Sequence, residues 1–170
     1  MASPADMSRH ILLTTDFSRE SERAFLPVAD LADLIGARVT LLHVIETAVA
    51  LPHGAPMALP LPIPQARERE ADAHRNLVEQ AKRFPRDCEV ATVVVTGPDV
   101  ATAIVDYAEA HRTDLVAMAS HGRGGLRRFV MGSIAETVVR RSTRPVMVYP
   151  PTREELASRR SGRAPLRVSG

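Results

Sequence analysis

Short apolar runs alternate along the chain with stretches in which apolar residues recur every three or four positions. The first pattern is typical of strands buried on both faces, and the second of helices with one buried face. The apolar runs predict strands at residues 10–15, 38–45, 89–96, 114–120 and 145–149. Helices are predicted between them from four stripes: Ala24, Val28, Leu31 and Ile35; Ala66, Ala73, Leu77, Ala81 and Phe84; Val100, Ile104 and Ala108; and the segment 133–141.

Glycine and proline divide this pattern into one domain with extensions. Gly36 and Pro85 close the first two helical stripes. Residues 47–64 contain Gly54 and five prolines, at 52, 56, 60, 62 and 64, which predicts a long loop. We expect residues 1–7 to be a flexible N-terminus, 8–150 to form one α/β domain, and 151–170 to form a basic, disordered tail. Because strands and helices alternate, the sheet is predicted to be parallel and to lie between two helical layers.

Composition narrows the class of protein. Hydrophobic residues make up 45% of the chain and charged residues 25%, as in ordinary globular domains. The chain has no apolar run long enough to span a membrane, its start does not resemble a signal peptide, and Cys88 is the single cysteine. These features predict a cytoplasmic protein without a membrane partner.

The net charge of +2 is unevenly distributed. Residues 151–170 contain five arginines and two glutamates, so residues 1–150 carry a net charge of −1. With few aromatic residues and no amphipathic stripe, the tail is interpreted as a solubilising extension. Nucleic acid is not an expected partner.

Polar residues follow two of the predicted strands, where open α/β sheets bind their ligands. The first strand ends in Thr14, Thr15 and Asp16, and the fourth is followed by the glycine-rich segment 121–125. Glycines allow close approach of the backbone, and a helix N-terminus favours anions, so this loop suits a phosphate. It is neither a Walker A motif nor a dinucleotide fingerprint, because the required spacing is missing.

Three segments resemble hallmarks of the universal stress protein family, in the family's order: ILLTTDFS, LLHVI and MASHGRGGLRRFVMGSIAETVVRRSTRPVMVY. The resemblance covers residues 8–150. The family's ATP-binding branch has the motif G-x2-G-x9-G-[S/T], and Gly122, Gly132 and Ser133 match it here. Two positions depart from the family's pattern: Ala119 replaces the first glycine, and Thr14 stands where many relatives have proline.

The resemblance implies a doubly wound, open parallel sheet of five strands in the order 3-2-1-4-5, which is Rossmann-like and adenine nucleotide alpha hydrolase-like. It implies an ATP site between strands 1 and 4, with or without Mg2+. By the family's pattern, Asp16 and the Val44 backbone contact adenine and ribose, and Met118 and Ala119 line the ribose side. The remaining implied nucleotide-binding residues are Thr14, Thr15, His121, Gly122, Arg123, Gly132, Ser133 and Ile134.

Several of these residues also fit purely structural roles. Asp16 is suited to N-cap the following helix, and Ser133 and Glu136 have the spacing of a capping box. His121 is equally suited to bind a phosphate or to support its own turn. His43 lies in an apolar strand and is interpreted as a hydrogen-bonded histidine in or near the core. No cluster has metal-ligand spacing, and Cys88 lacks a CxxC partner.

The functional prediction is a nucleotide-dependent regulator or sensor of the stress response, at most a slow ATPase. It acts on an unidentified protein partner. The resemblance also implies a homodimer through the last strand, at Val146, Met147 and Val148. The alternative is a stress protein that works through protein contacts without nucleotide, which Ala119 favours. A flavin-binding or nucleotidyl-transferring domain of the same topology is a weaker third reading.

Overall fold

A computed structural model describes residues 9–47, 63–120 and 131–151 of the chain. Within these residues, strands and helices alternate as the apolar pattern predicts. The strands are β1 Arg9–Thr14, β2 Ala37–Glu46, β3 Val90–Gly97, β4 Leu115–Ala119 and β5 Val146–Tyr149. The helices are α1 Arg19–Glu22, α2 Phe25–Ile35, α3 Ile63–Ala81, α4 Val100–Ala110 and α5 Ser133–Arg141.

The five strands form one parallel sheet in the order β3-β2-β1-β4-β5, which confirms the predicted fold class. In the register of the sheet, Leu13 of β1 lies opposite Leu41 of β2 and Ala117 of β4. The order of strands reverses at β1, since the chain moves outward to β3 on one side and to β5 on the other. Ligand crevices in open α/β sheets form at such a point.

Each face of the sheet has its own apolar core. Alternate residues of β1 point to opposite faces, so Leu13 packs with Phe25 and Leu77 of the α2 and α3 layer. Leu12 packs on the other face with Ile104 and Val138 of the α4 and α5 layer. These six side chains are no more than 2% exposed, which explains why the strands read as continuous apolar runs.

Three predictions about the helices need correction, two about their boundaries and one about a buried position. The segment after β1 contains a short helix, α1, before α2, so it is not one helix. The predicted loop 47–64 ends earlier, because Ile63 and Pro64 begin α3, where the first turn tolerates proline. Ala66 is exposed, while Ala73, Leu77 and Phe84 of the same stripe are buried. Gly36 does end α2, in the left-handed conformation at φ 64°.

The predicted N-terminus (1–7), most of the 47–64 loop and nearly all of the 151–170 tail lie outside the described residues. In the part of the chain that is described, no helix is long and apolar enough to cross a membrane.

A buried histidine links the start of β1 to its neighbours. His10 is 4% exposed, and its Nε2 lies 2.8 Å from the Thr40 hydroxyl oxygen. Its backbone N–H donates to the Asp114 carboxylate at 2.7 Å. Burial lowers the pKa of His10 below its ordinary value of 6.5, and the positive charge of Arg38 lowers it further, against smaller opposing effects from the His111 backbone and the Asp114 carboxylate.

We expect this histidine to make folding stability depend on pH. Because its pKa is lower in the folded state, the unfolded chain binds the extra proton first as the pH falls below about 6.5. The free energy of unfolding should therefore decrease on acidification, by at most about 1.4 kcal/mol per pH unit from this group. Urea unfolding between pH 7.5 and 5 should show a smaller decrease for His10→Gln. Equal pH dependence in both proteins would contradict the prediction.

Candidate functional site

The register of the sheet brings the predicted site residues to one edge. Thr14 lies opposite Leu42, so extending the pairing by two residues places Asp16 level with Val44 of β2. On the other side, Leu13 lies opposite Ala117, which places Thr15 level with Ala119 and Asp16 level with Ser120. The end of β1 is therefore flanked by β2 and β4 at the point where the strand order reverses.

Asp16 organises the turn that follows β1. One oxygen of its carboxylate accepts hydrogen bonds from the Ser18 backbone N–H at 3.0 Å and from the Ser18 hydroxyl at 2.5 Å. Ser18 in turn caps α1, because its hydroxyl oxygen accepts from the Ser21 N–H at 3.1 Å. The expectation that Asp16 is the N-cap was wrong, because the helix begins two residues later. Its carboxylate is half-buried and lies outside the helix.

The residue after Asp16 adopts an unusual backbone conformation. Phe17 has φ 64°, a left-handed backbone conformation that residues other than glycine rarely adopt. Its ring lies 4.0 Å, centroid to centroid, from the ring of His43 on β2. Nδ1 of His43 lies 2.8 Å from the Thr15 carbonyl oxygen, which confirms the interpretation of His43 as a hydrogen-bonded histidine near the core. The turn is thus supported from the β2 side by both residues.

Thr15 fixes the same turn through hydrogen bonds of its hydroxyl group, on the side of the sheet that α3 covers. Its hydroxyl lies 2.8 Å from Oε1 of Gln80 on α3, 3.0 Å from the Ser21 hydroxyl and 3.1 Å from the Phe17 backbone nitrogen. Thr15, Ser21 and Gln80 are each no more than 6% exposed. Sequence reasoning missed Gln80, since a glutamine beside a helical stripe gives no local signal of a contact 65 residues away.

The chain returns to this edge at the start of α5. The Gly132 N–H donates to the carbonyl of Ser120 at 2.8 Å, which joins the end of β4 to the helix. Gly132 is the N-cap of α5 and makes no side-chain capping hydrogen bond, so the predicted capping box of Ser133 and Glu136 was wrong. Glu136 instead pairs with Arg140, one turn along the helix, at 2.6 Å. The first turn of α5 therefore begins next to the end of β4, and its first amides have no partner within the helix.

The other predicted residues differ in how they contribute. Thr14, Val44 and Met118 are buried, and Val44 and Met118 belong to the core on the α4 and α5 face. Ala119 is half-buried, whereas Ser133 and Ile134 are exposed at the start of α5. His121, Gly122 and Arg123 lie outside the described residues. The structure thus brings together nine of the predicted residues: Thr14, Thr15, Asp16, Val44, Met118, Ala119, Gly132, Ser133 and Ile134.

Neither a metal cluster nor an activated thiol is found in the described segments. No group of three histidine, cysteine or acidic side chains there is arranged to hold a metal ion. Burial raises the pKa of Cys88, and the charges of Asp87 and Asp33 raise it further, so the thiolate is disfavoured.

The model of the universal stress protein family matches residues 7–150. The chain belongs to this family. It is 30% identical, over 155 residues, to the universal stress protein MJ0577 of Methanocaldococcus jannaschii, an alignment that covers 84% of this chain and 94% of that protein. The solved structure of MJ0577 superposes with a TM-score of 0.57 and 28% identity, covering 86% of this chain and 99% of the other.

Two further structures of the family share the fold. A universal stress protein in complex with cAMP superposes with a TM-score of 0.62 at 19% identity, covering 85% of this chain and 98% of that one. The Archaeoglobus fulgidus protein in complex with dAMP gives a TM-score of 0.55 at 19% identity, covering 83% and 96%. At this identity the likeness shows the fold.

The two serines at the site are expected to respond differently to alanine substitution. Ser18→Ala removes the side-chain cap of α1 and the hydroxyl that donates to Asp16, and keeps only the backbone N–H as a donor to that carboxylate. The free energy of unfolding should therefore decrease by about 1 kcal/mol. Ser133→Ala removes no cap and should change the free energy of unfolding by less than about 0.5 kcal/mol. Urea unfolding of both variants measures this. A larger loss for Ser133→Ala would restore the capping box.

Proposed function

We propose that this universal stress protein binds an adenine nucleotide, with ATP as its ligand, and acts as a nucleotide-dependent regulator or sensor of the stress response. One observation carries the proposal. The Asp16 turn and the start of α5 lie at the same reversal point, where the Gly132 N–H reaches the Ser120 carbonyl. A carboxylate and a set of helix N-terminal amides on either side of a crevice suit a ribose hydroxyl and a phosphate.

Each side of the crevice takes a different part of the nucleotide in this proposal. Asp16 accepts from the ribose, and the backbone at Val44 meets the adenine. Met118 and Ala119 form the ribose wall beside Thr14 and Thr15. The phosphates lie at the start of α5, on the amides of Gly132, Ser133 and Ile134, with Gly122, Arg123 and His121 completing the phosphate loop and Mg2+ as an optional companion of the phosphates.

Two relatives of known structure support this ligand class. The family members described as complexes with cAMP and dAMP share the fold, and both ligands are adenine nucleotides with one phosphate. The choice of ATP over these rests on the match of Gly122, Gly132 and Ser133 to the ATP-binding motif. We assign the site to a domain at residues 8–150 of a cytoplasmic protein.

Catalysis is expected to be slow or absent. Hydrolysis requires an oriented water and stabilisation of the charge that develops on the γ-phosphate. Asp16 accepts two hydrogen bonds from Ser18 and, in this proposal, a further one from the ribose. It is therefore not placed to orient a water molecule at the γ-phosphate. A turnover above about 1 per second would replace this binding function with an enzymatic one.

A second candidate function is regulation by protein contact without nucleotide. The observation that favours it is Ala119, whose methyl group stands where the motif has glycine. Ala119 is half-buried at the end of β4 and is part of the proposed ribose wall, where a methyl group leaves less room than a glycine would. Heat extraction of the purified protein followed by chromatography separates the two functions, because a bound nucleotide would appear in the supernatant in proportion to protein.

The phosphate subsite is tested by substitution at Gly132. Its backbone has φ −60° and ψ 149°, which valine also adopts, so Gly132→Val adds bulk without left-handed strain. We expect equilibrium dialysis against AMP, ADP and ATP to show at least about a tenfold loss of affinity, a change of 1.4 kcal/mol. Ser133→Ala keeps the backbone amides and is the matched control, with affinity close to the parent. Unchanged affinity of Gly132→Val would exclude this phosphate site.

We further infer a homodimer in which Val146, Met147 and Val148 of β5 form the contact. β5 is an edge strand, and Met147 is 37% exposed on it. Apolar edge strands pair readily with a second chain.

A charge at this edge should weaken the dimer. Met147→Lys introduces the kind of residue that natural edge strands use to prevent pairing. In sedimentation experiments, the variant should therefore be monomeric at protein concentrations at which the parent is still a dimer. Leu34→Lys is the control, because Leu34 is also exposed and apolar but lies on α2, away from β5. Identical sedimentation of both variants would contradict a β5 interface.

A further inference from the structure

A chain of polar side chains runs from the Asp16 turn to α3 beneath the candidate site. The Thr15 hydroxyl bonds to Oε1 of Gln80 at 2.8 Å, and Nε2 of Gln80 bonds to Oε1 of Glu22 at 3.1 Å. The other oxygen of Glu22 pairs with the guanidinium of Arg83. Thr15 and Gln80 are both 6% exposed, so water does not readily replace the partners of either one.

The carboxylate of Glu22 sets the direction of every hydrogen bond in this chain. An ionised carboxylate only accepts, so the Gln80 side chain must turn its NH2 group toward Glu22 and its carbonyl toward Thr15. The Thr15 hydroxyl must then donate to Gln80. Its oxygen remains as the acceptor for the Phe17 N–H at 3.1 Å. The donor direction therefore runs from Phe17 through Thr15 and Gln80 to Glu22.

This direction matters because Phe17 holds a costly conformation. A residue other than glycine at φ 64° persists only where its surroundings hold it, at a cost of about 1–3 kcal/mol. Asp16 lies between Thr15, which the chain of bonds anchors, and Phe17, whose N–H ends that chain. A change at Gln80 should therefore be transmitted to the orientation of the Asp16 carboxylate.

We propose that Gln80 and Glu22 are positioning residues for the nucleotide site, which hold the Asp16 turn in its binding conformation through a hydrogen-bond chain of fixed direction. The inference rests on the proposed function for its ligand, while the positioning itself concerns the turn. Gln80 and Glu22 act through Thr15 and touch no part of the nucleotide.

The direction of the chain allows a test by exchange of the two side chains. Gln80→Glu alone sets two carboxylates against each other and removes the donor to Glu22. In the double variant E22Q/Q80E, the new carboxylate at 80 accepts from both Thr15 and the amide of residue 22. The amide oxygen at 22 then accepts from Arg83. The bond between residues 22 and 80 reverses, whereas Thr15 and Arg83 remain donors and every polar group keeps a partner.

Two readouts are measured on the full chain: the affinity for ATP by equilibrium dialysis, and the exchange rate of the Phe17 amide by NMR. We expect Gln80→Glu to weaken ATP binding by about tenfold and to accelerate Phe17 exchange, and E22Q/Q80E to recover most of both losses. Gln65→Glu is the matched control, because it adds the same charge at an exposed position of α3 and should leave both readouts unchanged.

The outcomes separate this inference from the proposed function. Losses that add in the double variant, or Gln80→Glu with the parent's affinity and Phe17 exchange, would overturn the positioning role. If the parent protein binds no nucleotide, the proposed function fails, and recovery of Phe17 exchange in E22Q/Q80E still decides whether the chain positions the turn. Should Gln80→Glu not fold, Gln80→Met removes the acceptor of Thr15 without adding charge. Its ATP affinity and Phe17 exchange rate are then compared with those of the parent, and parental values of both would overturn the positioning role.

Discussion

The pairing of β1 with both β2 and β4 is the constraint on which the rest of this structure depends. β1 is hydrogen-bonded on both edges and packed on both faces, with Leu12 and Leu13 completely buried on opposite sides. Because right-handed crossovers send the chain to opposite faces on the two sides of β1, α2 packs on one face of the sheet and α5 on the other. A reversal of strand order of this kind is where open α/β sheets form their ligand crevices.

The two sides of the candidate site, the Asp16 turn after β1 and the start of α5 beside β4, are held in place by different interactions. The β1 side depends on side chains, since Asp16, Ser18 and Thr15 hold the turn through hydrogen bonds and Phe17 accepts a strained backbone. Among the described residues, the β4 side depends on the main chain, since the Gly132 N–H donates to the Ser120 carbonyl and the N-cap of α5 is a glycine.

The polar chain under the turn shows how a buried network gives a loop a single geometry. Glu22 accepts from both Gln80 and Arg83, and this leaves one arrangement of donors for Thr15 and Phe17. Buried polar groups are costly when unpaired, so alternative rotamers of Gln80 are disfavoured. The turn is consequently coupled to α3, which follows the proline-rich segment in the chain.

The pattern of apolar residues alone determined the five strands and the helices α2 to α5 in their order, since burial on one or both faces imposes a period that can be read locally. It missed α1, which is only four residues long. The position after the first strand made Asp16 a candidate site residue, and the resemblance to the family's glycine motif made Gly132 and Ser133 candidates. Tertiary structure alone decided the helix caps and the contact of Gln80 with Thr15. Capping depends on where the backbone turns, which moved the N-caps to Ser18 and Gly132. Gln80 and Thr15 are 65 residues apart and meet only because α3 packs on the sheet close to the turn where Thr15 follows β1, a contact that no local period encodes.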